Sequence, residues 1–184
     1  MLNIEQAQAD MRHAYLGGAT GIFASACAWL VAGITAALAT DRAAIFALFV
    51  GGMFIHPVAM LLSKLAGRPG KHDKANPLGR LAIESTVWLL LAIPVAFLAS
   101  LQRPEWFFVA MLLTIGGRYF VFASLYGLRI YWLCGAVLAA AAFTLAALNA
   151  SSLVAAIAGS VIEFGFAGAV FVVQRQSRAY PLPM

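Results

Sequence analysis

The chain has 184 residues, of which 63% are hydrophobic and 10% charged, and its formal net charge at pH 7 is +5. Soluble domains carry about 25% charged residues, so this composition excludes a soluble protein. The positive charge does not indicate nucleic-acid binding either, because no surface segment combines basic and aromatic residues. The apolar runs do not alternate and are long enough for helices, which argues against a membrane barrel.

Residues 1–15 are predicted to form an N-terminal surface segment. Within it, residues 2–13 have the pattern of a short amphipathic helix at the membrane surface, with Leu2, Ile4 and Met11 as apolar contacts. A signal peptide is not expected, because acidic residues are present and no small-residue cleavage site follows a short apolar core.

Six apolar segments follow, each long enough to cross a hydrocarbon core of about 30 Å. The predicted spans cover residues 16–39, 43–66, 80–101, 105–125, 128–148 and 153–173. The sequence therefore predicts an all-α protein, a polytopic integral membrane helical bundle with six transmembrane helices over residues 16–173. Residues 174–184 are predicted to be a loose C-terminal tail.

The distribution of basic residues predicts the orientation of these helices. With a cytoplasmic N-terminus, only Arg42 and Arg103 lie outside, and all other Lys and Arg residues lie inside. Because cytoplasmic loops are enriched in Lys and Arg, both termini are predicted to be cytoplasmic. The residues on the inside are Arg12, Lys64, Arg68, Lys71, Lys74, Arg80, Arg118, Arg129, Arg175 and Arg178.

Four ionisable side chains fall within the apolar spans, namely His56, Glu84, Arg118 and Glu163. A charged group in hydrocarbon is costly, so each needs a partner, a cavity or a function. Counting residues along the predicted helices places all four between the bilayer midplane and the cytoplasmic surface, and Tyr119 lies in the same layer.

The preferred interpretation of this layer is a small carrier or binding protein for a small polar or anionic molecule. It would use a cytoplasm-facing polar cavity, with Arg118 facing the ligand and proton exchange at a carboxyl or imidazole group. The predicted ligand- or proton-binding residues are Arg118, Glu163, Glu84, His56 and Tyr119.

Two other functions are consistent with the same residues. In a structural or accessory membrane protein, Arg118 would pair with Glu84 or Glu163 and the charges would only fix helix packing. The third alternative is an intramembrane enzyme, although metalloprotease, serine-hydrolase and nucleotide-binding motifs are all absent. No catalytic residue, metal site or cofactor is therefore predicted.

The expected partners are the lipid bilayer and the small ligand. The spacing of Gly17 and Gly21 allows close approach of another helix, within the chain or in a homodimer. Cys27 and Cys134 are isolated in apolar segments and are interpreted as packing residues.

Three stretches resemble an uncharacterised family of small bacterial six-helix membrane proteins, a domain of unknown function. They are Gly51 to Pro57, Asn76 to Glu84 and Gly117 to Gly127, and the resemblance extends over nearly the whole chain. It implies a multi-pass protein of the bacterial inner membrane. It implies no activity, cofactor or functional residue.

Overall fold

The computed structural model describes the backbone of residues 2–179 and the side chains of residues 2–175. Over that range the chain is helical and contains no strand. The helices are α1 (Ile4–Tyr15), α2 (Ala19–Leu38), α3 (Asp41–Leu65), α4 (Leu78–Gln102), α5 (Trp106–Tyr126), α6 (Ile130–Ala147) and α7 (Ser152–Ala179). Six segments are long and apolar enough to cross a membrane, and the first of them runs through α1 into α2. The prediction of an all-α protein with six helices long and apolar enough to span a membrane is confirmed.

The ends of the helices follow local sequence signals. Thr40 precedes α3, and its side chain accepts a hydrogen bond from the Ala43 amide. The side chain of Asn76 accepts from the amide of Leu78 at the start of α4. Gly127 adopts a left-handed conformation with φ of 65°, which ends α5 at little steric cost. Helix α7 continues beyond residue 173, while residues 180–184 of the predicted tail and the side chain of Arg178 lie outside the described residues.

The core of the bundle is built on α2, α5, α6 and α7, while α3 packs on α2 and α4 packs on α5. Helices α5 and α6 approach closely because both carry glycine at the crossing. A Cβ atom at Gly116 would lie 3.0 Å from the carbonyl oxygen of Gly135. Between α3 and α4 the rings of Phe49 and Phe97 meet at a centroid distance of 5.9 Å. The outward faces of α3 and α4 are largely exposed and apolar, as lipid contact requires.

Helix α1 is separated from α2 by a kink in the chain. Leu16, Gly17 and Gly18 all have positive φ angles, of 52°, 62° and 91°. A Cβ atom at Gly18 would clash with the hydroxyl of Tyr131, so glycine is required there by conformation and by space. The kink places α1 against the end of α5 and the loop 66–77.

Contacts with the bundle hold α1 in that position. The Arg12 guanidinium donates to the carbonyl of Tyr126 at 2.6 Å, and the Gln8 amide donates to the carbonyl of Ser124 at 2.8 Å. Asn76 donates to the carbonyl of Ala7 at 2.9 Å. Met11 is buried against the bundle, whereas Leu2 and Ile4, which were predicted to contact the membrane with it, are exposed.

We call this side of the molecule the basic end. It comprises α1, the end of α3, the loop 66–77, the start of α4, the connection 127–129 and the last turns of α7. The exposed basic side chains there are Lys64, Lys71, Lys74, Arg80, Arg129 and Arg175.

Candidate functional site

Glu163 lies on α7 in the centre of the bundle and has no exposed surface. The Tyr119 hydroxyl, from α5, donates a hydrogen bond of 2.6 Å to its Oε1 atom. The Ser25 hydroxyl, from α2, lies beside the same carboxyl group. The second oxygen, Oε2, has no hydrogen-bond partner among the described residues. The carboxyl is thus enclosed by neutral polar groups from two other helices.

Arg118 is the neighbour of Tyr119 on α5 and lies at the interface with α4. Its Nε atom donates to the Ser85 hydroxyl at 3.1 Å, and one terminal nitrogen donates to the Thr86 hydroxyl at 3.0 Å. The guanidinium carbon also stands 5.1 Å from the centre of the Phe122 ring, in cation–π geometry. The positive charge is therefore held by two neutral hydroxyls and an aromatic face.

Arg118 and Glu163 interact electrostatically but do not touch. Consecutive helix residues point about 100° apart, so Tyr119 faces α7 while Arg118 faces α4. Although all of these side chains are described, Arg118 forms no ion pair with Glu163 or with Glu84. A purely structural role predicts that Arg118 pairs with Glu84 or with Glu163. Neither ion pair is present among the described residues.

Glu84 and His56 lie outside this cluster. Glu84 immediately precedes Ser85 on α4, and its side chain is exposed. His56 is exposed on α3, next to Pro57, and forms no hydrogen bond with a described residue. Of the five predicted residues, the structure therefore joins Tyr119 to Glu163, places Arg118 on the adjoining interface and leaves Glu84 and His56 apart.

The site also contains hydroxyl residues that the list of candidates omits. Ser85 and Thr86 bind Arg118, and Ser25 lies against Glu163. Each is a small polar residue in an apolar helix at the depth of the charged layer. In the sequence, this depth is the one feature that could have identified them as site residues. A second omission is Tyr131, which is fully buried and donates to the carbonyl of Gly17 at 2.6 Å.

Two grooves open on the apolar surface of the bundle. The larger has a volume of about 690 Å³ and lies along α4, with Phe49 of α3 as its other wall. The second, of about 420 Å³, lies between α2 and α3. Neither groove is lined by any of the five predicted site residues. Among the described residues no group of three His, Cys, Asp or Glu side chains could hold a metal ion.

Comparison with known proteins places the chain in a family. Residues 4–174 match the model of the family of unknown function DUF7010, and the chain belongs to that family. The resemblance to an uncharacterised family is thereby confirmed. No curated protein and no solved structure matches the chain.

Proposed function

We propose that this protein is a carrier or binding protein for a small polar or anionic molecule, located in the inner membrane of a bacterium. Arg118 would bind the ligand, and Glu163 would bind and release a proton. The observation that carries the proposal is the pairing of Arg118 with two neutral hydroxyls in place of a carboxylate. A guanidinium within the apolar layer is costly without a counter-charge, and a bound anion would supply one.

Glu163 is the residue best suited to proton exchange. It is completely buried, and Tyr119 is its hydrogen-bonded partner. A charged carboxylate at this position would interact favourably with the positive field of Arg118. An anion at Arg118 would cancel that field, so binding of the anion and protonation of Glu163 would favour each other.

The proposed orientation has both termini in the cytoplasm. The basic end carries exposed Lys and Arg side chains of the loop 66–77, of the adjoining ends of α3 and α4, of Arg129 and of α7, while Arg42 and Arg103 lie at the opposite end. The positive-inside rule supports a cytoplasmic basic end. Because the two grooves are apolar, water-borne access to the polar layer would need an opening of the α4–α5 interface toward that end.

A structural or accessory role is the second candidate function. It is favoured by the complete burial of Glu163 and its bond to Tyr119, which lock α5 against α7. In that role the polar contacts would fix the rotation of the helices and no ligand would bind. Ligand binding at Arg118 is therefore the property that separates the two candidates.

Thermal unfolding in neutral detergent tests for such binding with a panel of anions consisting of inorganic phosphate, sulfate, acetate, octanoate and palmitate. The proposal expects at least one of them to raise the Tm by about 5 °C at saturation. Arg118→Gln should abolish the rise, and Arg129→Gln, which removes an exposed charge at the basic end, should preserve it. If no anion stabilises the wild-type protein, the structural role is favoured.

A further inference from the structure

We propose that the ligand of Arg118 is a long-chain carboxylic acid, whose carboxylate binds the guanidinium and whose tail lies in the groove along α4. The inference rests on the proposed function and names the chemical class of its ligand. Three features carry it, namely the hydrogen-bond donors around Arg118, the position of the groove and the depth of the site.

The polar groups around Arg118 offer donors without matching acceptors. The hydroxyls of Ser85 and Thr86 both accept from the guanidinium, and Thr86 donates its own proton to the carbonyl of Ala82 at 3.0 Å. The remaining terminal nitrogen of Arg118 and the Ser85 hydroxyl proton have no acceptor among the described residues. An incoming ligand must therefore supply acceptors, and a carboxylate can bind a guanidinium through two oxygens.

The groove begins where this donor cluster ends. Thr86 is followed by Leu90, Ile93 and Phe97 at intervals of four, three and four residues, which puts all of them on one face of α4. The last three line the groove of about 690 Å³, which is open along the lipid-facing surface of the bundle. Thr86, bonded to Arg118, thus stands on the same stripe as the groove, one turn nearer the basic end.

One further polar residue lies on α3, outside the lining of the groove. Phe49 of α3 lines the groove and meets Phe97. His56 follows Phe49 by seven residues and therefore lies on the same face of α3, two turns nearer the basic end. Its exposed imidazole has no hydrogen bond to a described residue, and nothing in the structure places it beside Arg118.

The depth of the site selects an anion that carries an apolar tail. Arg118 is eight residues from the end of α5 and Thr86 eight from the start of α4, so both lie about 12 Å inside the helix ends. Both grooves are lined mainly by apolar side chains, so an anion in this conformation would arrive through lipid. Because the surrounding lipid tails are as apolar as the groove, placing the acyl tail of the ligand there adds little affinity. The tail instead brings the ligand to the site through the bilayer and orients its carboxylate toward Arg118.

A single-chain acid fits this position better than a phospholipid. Its head is one carboxylate, which can enter between α4 and α5 beside a partly exposed Arg118. A phospholipid would have to carry its headgroup and glycerol about 12 Å below the helix ends. The groove has room along one helix face, from Leu90 to Leu101, which suits one extended chain.

Photo-crosslinking in nanodiscs of phosphatidylcholine tests the inference, with palmitic acid carrying a diazirine in mid-chain as the probe. We expect crosslinks on α4 between Leu90 and Leu101 and on α3 around Phe49. Excess palmitic acid should suppress them, and its methyl ester, which lacks the charge, should compete about tenfold less well. Labelling spread evenly over the exposed faces of several helices, or equal competition by the ester, would overturn the inference.

Two neighbouring residues give a matched pair of variants that does not depend on Arg118. Leu90 lines the groove and Leu91 does not, although both are exposed leucines of α4. Leu90→Trp should reduce crosslinking about tenfold, whereas Leu91→Trp should leave it unchanged. Equal effects of the two substitutions would overturn the inference.

Other outcomes separate this inference from the proposed function. If inorganic phosphate or acetate stabilises the protein through Arg118 and the palmitate probe does not label the groove, only the inference fails. If phosphatidylglycerol in the nanodisc abolishes labelling, the site belongs to an acidic phospholipid and the inference fails again. If no anion stabilises the protein and the groove remains unlabelled, both fail.

Discussion

The hydroxyl of Tyr119 donates a 2.6 Å hydrogen bond to Oε1 of Glu163, and both side chains are buried in the centre of the bundle. The bond joins α5 to α7 across the core. Tyr119→Phe should therefore destabilise the protein by about 1–3 kcal/mol, because it leaves a buried carboxyl oxygen without a donor. Unfolding by SDS titration in mixed micelles measures the change.

Tyr126→Phe is the control for that substitution. Tyr126 is also a buried tyrosine of α5, but its hydroxyl makes no hydrogen bond to a described residue. Its substitution should cost clearly less than that of Tyr119. Equal losses would show that the Tyr119–Glu163 bond makes no particular contribution.

Glu163→Gln separates the shape of the carboxyl from its charge. The amide oxygen can still accept from Tyr119, so the stability should stay within about 1 kcal/mol of the wild type.

In the wild type, a bound anion repels the charged form of Glu163, so affinity for the anion should fall as the pH rises. Isothermal titration with the stabilising anion over a pH series should show this fall, and a Glu163→Gln protein that retained it would exclude Glu163 as the proton site.

Gly18→Ala should destabilise the fold strongly. The residue has φ of 91°, and the added Cβ would meet the Tyr131 hydroxyl, so strain and overlap add to a loss of about 2 kcal/mol or more. Gly21→Ala is the matched control, because no atom lies within 4 Å of a Cβ at that position of α2. It should be neutral or slightly stabilising in SDS titration. A Gly18→Ala protein as stable as its control would contradict the geometry of the kink at residues 16–18.

Asn76→Ala should weaken the docking of α1 against the rest of the bundle. Its side chain donates to the carbonyl of Ala7 and to Asp10, and it also accepts from the amide of Leu78. Without these bonds, hydrogen exchange at the amides of α1 should accelerate by about tenfold, while the amides of α6 keep their protection. Lys74→Ala, an exposed change in the same loop, should leave the exchange of α1 as it is. Unaltered exchange in both proteins would mean that α1 is held by other contacts.

The proposed orientation is open to a direct labelling test. Cysteine is introduced singly as Gln102→Cys, at the end of α4 opposite the basic end, or as Lys74→Cys in the loop 66–77, with Cys27 and Cys134 replaced by alanine. A membrane-impermeant maleimide added to intact spheroplasts should label the cysteine at position 102. It should label the cysteine at position 74 only after the membrane has been permeabilised. The reverse pattern would invert the orientation.

The six spans were predictable because length and hydropathy alone determine which segments can cross a bilayer. The rotation of each helix about its own axis could not be predicted in this way. Depth counting placed His56, Glu84, Arg118 and Glu163 in one layer, yet a residue count measures position along an axis and says nothing about the face on which a side chain stands. Glu84 and Ser85 are consecutive, and only Ser85 faces Arg118.

The hydrogen-bond partners of Arg118 could not be predicted from the sequence either. Carboxylates and hydroxyls both occur at its depth, and either can accept from a guanidinium. The choice depends on how α4 and α5 pack. The position of α1 follows from similarly distant contacts, because Met11 is buried by residues of the bundle that a local amphipathic pattern cannot identify.

The kink at residues 16–18 and the contacts of α1 have a consequence for how the chain folds during synthesis. Residues that hold α1 and this turn include Asn76, Ser124, Tyr126 and Tyr131, all far later in the chain. They leave the ribosome long after the twelve residues of α1. The contacts that hold α1 against the bundle can therefore form only after these later residues have been translated.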